Sequence, residues 1–388
     1  MKLNATYIKI RDKWWGLPLF LPSLILPIFA HINTFAHISS GEVFLFYLPL
    51  ALMISMMMFF SWAALPGIAL GIFVRKYAEL GFYETLSLTA NFIIIIILCW
   101  GGYRVFTPRR NNVSHGDSRL ISQRLFWQIV FPATLFLILF EFAAFVGLLA
   151  CRKNLVGVIP FNLGTLINYQ ALLVGNLIGV PLCYFIIRVV RNPFYLRSYY
   201  SQLKQQVDAK VTKKEFAIWL LALGALLLLL CMPLNEKSTI FSTNYTLSLL
   251  LPLMMWGAMR YGYKLISLLW AVVLMISIHS YQNYIPIYPG YTTQLTITSS
   301  SYLVFSFIVN YMAVLATRQR AVVRRIQRLA YVDPVVHLPN VRALNRALRD
   351  APWSALCYLH IPGMEMLVKN YGIMLRIQYK QKLSHWLS

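Results

Sequence analysis

Leu86–Tyr103 reads LSLTANFIIIIILCWGGY, eighteen residues without one charged side chain. A helix rises about 1.5 Å per residue, so a run of this length is close to what crossing about 30 Å of hydrocarbon requires. Arg104 follows it directly, and further arginines lie between it and Arg124. Apolar runs bounded by short basic gaps recur on both sides, which makes the fold class an all-α polytopic membrane helix bundle. Composition agrees: of 388 residues, 59% are hydrophobic and 12% charged, with a mean hydropathy of +0.62. A soluble domain carries about twice that share of charge.

Ten spans are expected, at approximately Trp14 to His37, Val43 to Phe60, Trp62 to Val74, Leu86 to Tyr103, Trp127 to Leu149, Ala171 to Arg188, Phe216 to Met232, Tyr245 to Met259, Leu265 to His279 and Thr298 to Thr317. The third is the shortest and carries Pro66, Gly67 and Gly71, so a re-entrant arm is its alternative. The first run lacks a small-residue cleavage site and reads as an anchor. With the N-terminus inside, 23 Lys and Arg fall in inner segments and 5 in outer ones, as the positive-inside rule requires. Omitting the third span would expel the five-Arg gap from Arg104 to Arg124, and spanning Leu155 to Gln170 would expel the seven basic residues from Arg188 to Lys214. Leu155 to Gln170 is therefore read as an outer or re-entrant stretch, its Pro160, Asn162, Gly164 and Asn168 suiting irregular backbone. The net charge of +23 is thus a topology signal, and nucleic acid is not expected as a partner.

Chemistry within the first 317 residues is sparse, with no P-loop, HExxH, nucleophile elbow or carboxylate pair. Glu141 is the one acidic residue deep in a span, suited to ligand or proton sensing or to an interhelical hydrogen bond in its protonated form. Asn91, Gln170, Asn176 and Asn310 either line a ligand cavity or lock helices together. His31, His37 and His279 have no ligand spacing, and the five cysteines lie too far apart for a redox or metal pattern, so no metal, cofactor or disulfide is expected. The outer loop Tyr281–Tyr291, YQNYIPIYPGY, suits an interfacial aromatic belt or the lip of a pocket.

After Thr317 the last 71 residues hold 12 basic and 3 acidic side chains and no spanning run. Val322, Ile326 and Leu329 share one helical face among arginines, so residues 318–331 are expected to continue the last span as an amphipathic signalling helix, through which two copies could pair. Ala330–Leu344, AYVDPVVHLPNVRAL, resembles the opening of a diguanylate cyclase-like (GGDEF) domain, D-x-L-T-G-L-P-N-R-R, matching at Asp333, Leu338, Pro339, Asn340 and Arg342. That resemblance implies a following strand with Mg²⁺-binding carboxylates, but the corresponding residues are His360, Ile361 and Pro362, with Gly372 closing the next turn. Imidazole and proline cannot replace hard oxygen ligands, and the sequence reaches Ser388 before the signature loop, so residues 332–388 are expected to be an incomplete, degenerate α/β stub without cyclase activity.

The upstream part resembles the membrane-associated sensor (MASE-type) domains that precede such modules in bacteria. Tyr169–Leu182, YQALLVGNLIGVPL, carries the likeness, with Asn176 where an acidic residue is common, which weighs against proton or cation coupling. The resemblance covers residues 12–317 loosely and 318–372 more specifically, and extends to the N-terminal half of cyclic-di-GMP phosphodiesterases in which an EAL hydrolase domain follows. It implies a sensory input module, 1–317, of a cyclic-di-GMP signalling protein in the bacterial inner membrane, both termini cytoplasmic, with lipids and an unknown small ligand as partners. A transporter or channel-like protein is the alternative, since broken spans and buried polar groups also mark transport sites.

Overall fold

The computed structural model describes residues 15–38, 41–106, 125–145, 162–208, 211–232, 243–285, 290–333, 339–351 and 363–387. It divides into two compact units, residues 1–317 and 318–388. The first is a helical bundle whose helix directions follow from which side chains meet.

Helix α1 spans Leu17–His31, and the chain then turns into a two-stranded antiparallel hairpin, β1 Thr34–Ile38 and β2 Gly41–Phe46. This corrects both the all-α expectation and the first two span boundaries. Along β1 Thr34 and Ala36 are buried while Phe35 and His37 are exposed, the period of two that a one-sided strand requires. Two amides far apart in sequence hold the hairpin: Asn33 Oδ1 accepts from Leu48 N–H at 3.1 Å, and Asn168 Oδ1 from Phe44 N–H at 2.8 Å.

Helices α2, Pro49–Phe60, and α3, Leu65–Leu80, are separated by a 3-10 turn at Ser61–Ala64. Ser61 takes φ +54°, a left-handed value that ends the α2 hydrogen-bond ladder. The chain reverses there, so the helical stretch Pro49–Leu80 is two arms. α3 runs parallel to α1: a β carbon at Gly67 would stand 2.5 Å from the Pro18 carbonyl oxygen, and one at Gly71 3.0 Å from that of Pro22. Pro22 offers no N–H to the Pro18 carbonyl, and Gly67 packs its backbone against that freed oxygen. The third expected span is thus a full helix, six residues longer than expected at its C-terminal end.

α4, Phe82–Phe106, returns antiparallel, and Arg104 donates to Ser61 Oγ at 2.9 Å. A π-turn at Leu125–Val130 opens α5, Phe131–Phe145. α4 and α5 are antiparallel, with Cys99 Sγ 3.9 Å from the Pro132 carbonyl and Phe92 ringed by Phe136 and Phe140. α6, Leu163–Arg191, begins earlier than its expected span: Asn162 caps it, its side chain accepting from Thr165 N–H at 2.8 Å and Oγ1 at 3.1 Å. Asn162, Gly164 and Asn168 therefore belong to a helix and its cap, not to irregular backbone; 155–161 lie outside the described residues. The short α7, Tyr195–Gln206, leads to α8, Lys213–Cys231, which opens on a capping box between Thr212 and Glu215.

α9, Thr243–Tyr261, lies antiparallel to α8, Trp219 Nε1 donating to the Leu253 carbonyl at 2.9 Å. Gly262, at φ +82°, reverses the chain into α10, Tyr263–His279. After a 3-10 turn at Tyr281–Asn283, α11 runs unbroken from Tyr291 to Tyr331, starting before the expected Thr298 and passing residue 317. α10 and α11 are antiparallel, joined by Trp270 with Ser306 at one level and Tyr263 with Thr317 at another.

Beyond residue 331 the described elements are a bridge between Val332 and Pro339 and three helices, α12 Val341–Asp350, α13 Met364–Tyr371 and α14 Ile373–Leu387. His360, Ile361 and Pro362, where the expected strand falls, lie outside the described residues, as do Leu338, Cys151 and Cys357. By length and composition alone five helical stretches, Phe82–Val105, Leu163–Arg191, Lys213–Cys231, Tyr291–Ile326 and the two arms Pro49–Leu80 taken together, are long and apolar enough to cross a membrane.

Candidate functional site

α6 is the hub of the first unit. It meets β2 through Asn168, α5 through a 2.9 Å hydroxyl contact of Tyr169 with Thr134, and α11 through Gln170. Its close approach to α2 depends on Gly175, against the Tyr47 backbone carbonyl, and Gly179, against Leu48 and Ala51. Pro181 leaves the helix continuous to Arg191.

Two polar clusters follow α11. Gln170 Nε2 donates to Ser300 Oγ at 2.8 Å, and Ser300 donates in turn to the Thr296 carbonyl. Six residues on, Trp270 Nε1 donates to Ser306 Oγ at 3.0 Å, and Asn310 Nδ2 donates to the Ser306 carbonyl at 2.9 Å. The amide oxygens of Gln170 and Asn310 are buried without a partner among the described residues. Asn176 is the extreme case, fully buried with neither side-chain atom partnered among them. Buried polar groups are ordinarily satisfied, so each of these three amides marks a position where water, a ligand or a second packing supplies what this one lacks.

The other candidates differ. Asn91 is half-buried on α4 and donates to its own helix, to the Ser87 carbonyl at 3.2 Å. Glu141 is half-buried on α5 beside the exposed Phe142. His37 lies 3.4 Å from Glu42 across the hairpin, and no group of three His, Cys, Asp or Glu gathers round one point among the described residues. From the tyrosine-rich loop, Tyr284 is buried and its hydroxyl meets that of Tyr302 on α11.

A second node joins the opposite end of α10 to α7 and α11. Tyr263 N–H donates to Thr317 Oγ1 at 3.0 Å, Lys264 N–H to Gln206 Oε1 at 3.0 Å, and the Tyr199 hydroxyl to the Lys264 carbonyl at 2.9 Å. Burial pushes the Tyr199 phenol above the usual tyrosine range, which keeps it a neutral donor. None of Ser300, Ser306, Trp270, Thr317 and Lys264 was a candidate from sequence; the hydroxyl-rich run Thr296–Ser301 was the available signal for the first cluster.

In the second unit Asn340 has a structural task. Its side chain accepts from Arg342 and Ala343 N–H at 3.0 and 3.1 Å, capping α12, and donates to the Ala330 carbonyl at 2.8 Å. Val332 and Pro339 bridge beside it, and Arg346 stacks over Tyr331. Asn340→Ala is expected to cost about 1 kcal/mol locally, seen as faster hydrogen exchange at Arg342 and Ala343; unaltered exchange there would show the cap to be absent.

The MASE1 family model matches residues 15–320. The chain is 98% identical over all 388 residues to cyclic di-GMP phosphodiesterase PdeF of Escherichia coli K12, covering 52% of that protein. It is 25% identical over 375 residues, 94% of its length, to probable cyclic di-GMP phosphodiesterase PdeA of the same organism, covering 50% of it. The chain thus spans about half the length of these curated relatives. No solved structure matches. A helical bundle with spans of membrane length and a matching family model over most of the sequence together establish that the chain belongs to the MASE1 family of membrane sensor domains.

Proposed function

We propose that the first unit is the sensory input module of a cyclic-di-GMP signalling protein, crossing the bacterial inner membrane ten times with both ends cytoplasmic. The alternating directions of α1, α2, α3, α4, α5, α6, α8, α9, α10 and α11 support that path, with the basic segments gathered at one set of ends. The observation that carries the reading is α11 itself, which takes part in both polar clusters and runs on without interruption to Tyr331. A signal that favours one packing of the amide clusters over another shifts the population of α11 positions by its differential affinity. Exposed Val322 and Ile326 on the far part of α11 give a second copy a face to pair with. Phosphodiesterase activity, named for PdeF, belongs in this reading to the half of such proteins that this chain does not cover.

The test is cyclic-di-GMP hydrolysis by a full-length phosphodiesterase carrying this chain, compared with Ser306→Val and with residues 15–317 deleted. Both changes are expected to move the rate, the deletion by about fivefold or more. Equal rates for all three proteins would remove the input role.

A further inference from the structure

α6 ends at Arg191, and after Asn192–Pro193 the chain enters α7. There the Arg188 guanidinium lies over the Tyr195 ring, 4.3 Å from its centroid, and the Lys264 ammonium from α10 lies over the Tyr199 ring at 5.3 Å. The two rings are one helical turn apart, their centroids separated by 5.6 Å. Two cations from different helices therefore lie over adjacent rings of one helix, the rings tilted 55° to each other. Elsewhere in the bundle such groups have carboxylates, as Arg260 has Asp208 and Lys76 has Glu79. Among the described residues neither Arg188 nor Lys264 lies within 4 Å of one; Arg188 faces the Tyr184 and Tyr195 hydroxyls, and the Gln202 amide oxygen accepts from Lys264.

Paired positive charges partly removed from water repel each other unless an anion answers both. A phosphate suits the pair, because guanidinium presents a planar fork to two oxygens and ammonium a compact charge to a third. Phe194, Leu196 and Tyr200 of the same segment are exposed, as a helix lying among acyl chains requires. We propose that Arg188 and Lys264, held over Tyr195 and Tyr199, form a binding site for a phosphate group, supplied by an anionic phospholipid of the facing leaflet. The site rests on the membrane placement above and on no sensory role.

The experiment uses the full chain in phosphatidylcholine vesicles, with and without phosphatidylglycerol, and in phosphatidylcholine with millimolar inorganic phosphate. Phenylglyoxal modification of Arg188 is followed by peptide mass spectrometry, with Arg349 in the second unit as reference. Phosphatidylglycerol is expected to slow Arg188 labelling by about fivefold relative to Arg349, and Lys264→Met to abolish that protection. Lys264→Arg should retain it, which covers the event that the methionine variant does not fold. Protection by inorganic phosphate alone would keep the site and overturn the lipid as its source. Equal labelling in all three preparations, or full protection in Lys264→Met, would overturn the two-cation site. Co-flotation with the vesicles reports membrane placement separately.

Discussion

Gly175→Val is expected to be the most damaging single substitution in the bundle, lowering stability by about 3 kcal/mol or more, the upper end of overpacking costs. A β carbon at this position would meet the Tyr47 backbone, 2.9 Å from its carbonyl carbon and 3.5 Å from its nitrogen. That backbone cannot retreat easily. The flanking Phe44 and Leu48 N–H groups are held by Asn168 and Asn33, and Asn168 is itself on α6. Gly179→Ala, by contrast, meets only the Leu48 and Ala51 side chains, at 2.7 and 2.8 Å, one of which ends in a rotatable methyl. Thermal unfolding in detergent should therefore rank the pair clearly, with Gly175→Val far below Gly179→Ala; equal melting temperatures would contradict the close approach of α2 and α6.

Asn176→Leu should act in the opposite direction. The two side chains share one branched skeleton, so the substitution keeps the shape and removes two polar groups that are buried without partners among the described residues. Leaving a buried group unsatisfied costs about 1–3 kcal/mol, and replacement is expected to recover about 2 kcal/mol of it. The melting temperature should rise, and under the proposed sensory reading the response of a phosphodiesterase carrying this chain should weaken, since that reading has a second packing satisfy the amide. A fall in melting temperature would show that Asn176 is satisfied in this state, by water or by a neighbour.

Much of the bundle was legible because hydrocarbon thickness imposes a length and charge marks the ends. Leu86–Tyr103 announces a helix by itself, and the basic residues at 104–124 and 188–214 constrain how many reversals separate them. The hairpin was not legible. Phe35, Ile38, Val43 and Phe44 are as apolar as a span, and a short apolar run does not distinguish strand from helix. The start of α6 was misread for a different reason: Pro160 and Asn162 signal a break, but an asparagine before Leu163 is also a cap, and the cap is what forms. At the candidate site the amides stood out against apolar surroundings. Their partners Ser300 and Ser306 did not, since a helical serine ordinarily bonds its own backbone, and only the packing of α6, α10 and α11 brings Gln170 and Trp270 to them.

The Tyr281 hydroxyl donates to the Phe35 carbonyl at 3.1 Å, across 246 residues of chain. At roughly 5–20 residues per second of synthesis, that carbonyl waits tens of seconds for its donor. During that interval Asn33 is the first to hold the hairpin, and α6 joins it through Asn168 about halfway along. Completion of the N-terminal hairpin is thereby timed to the arrival of Tyr281, and a nascent chain halted before that residue leaves the Phe35 carbonyl without this donor.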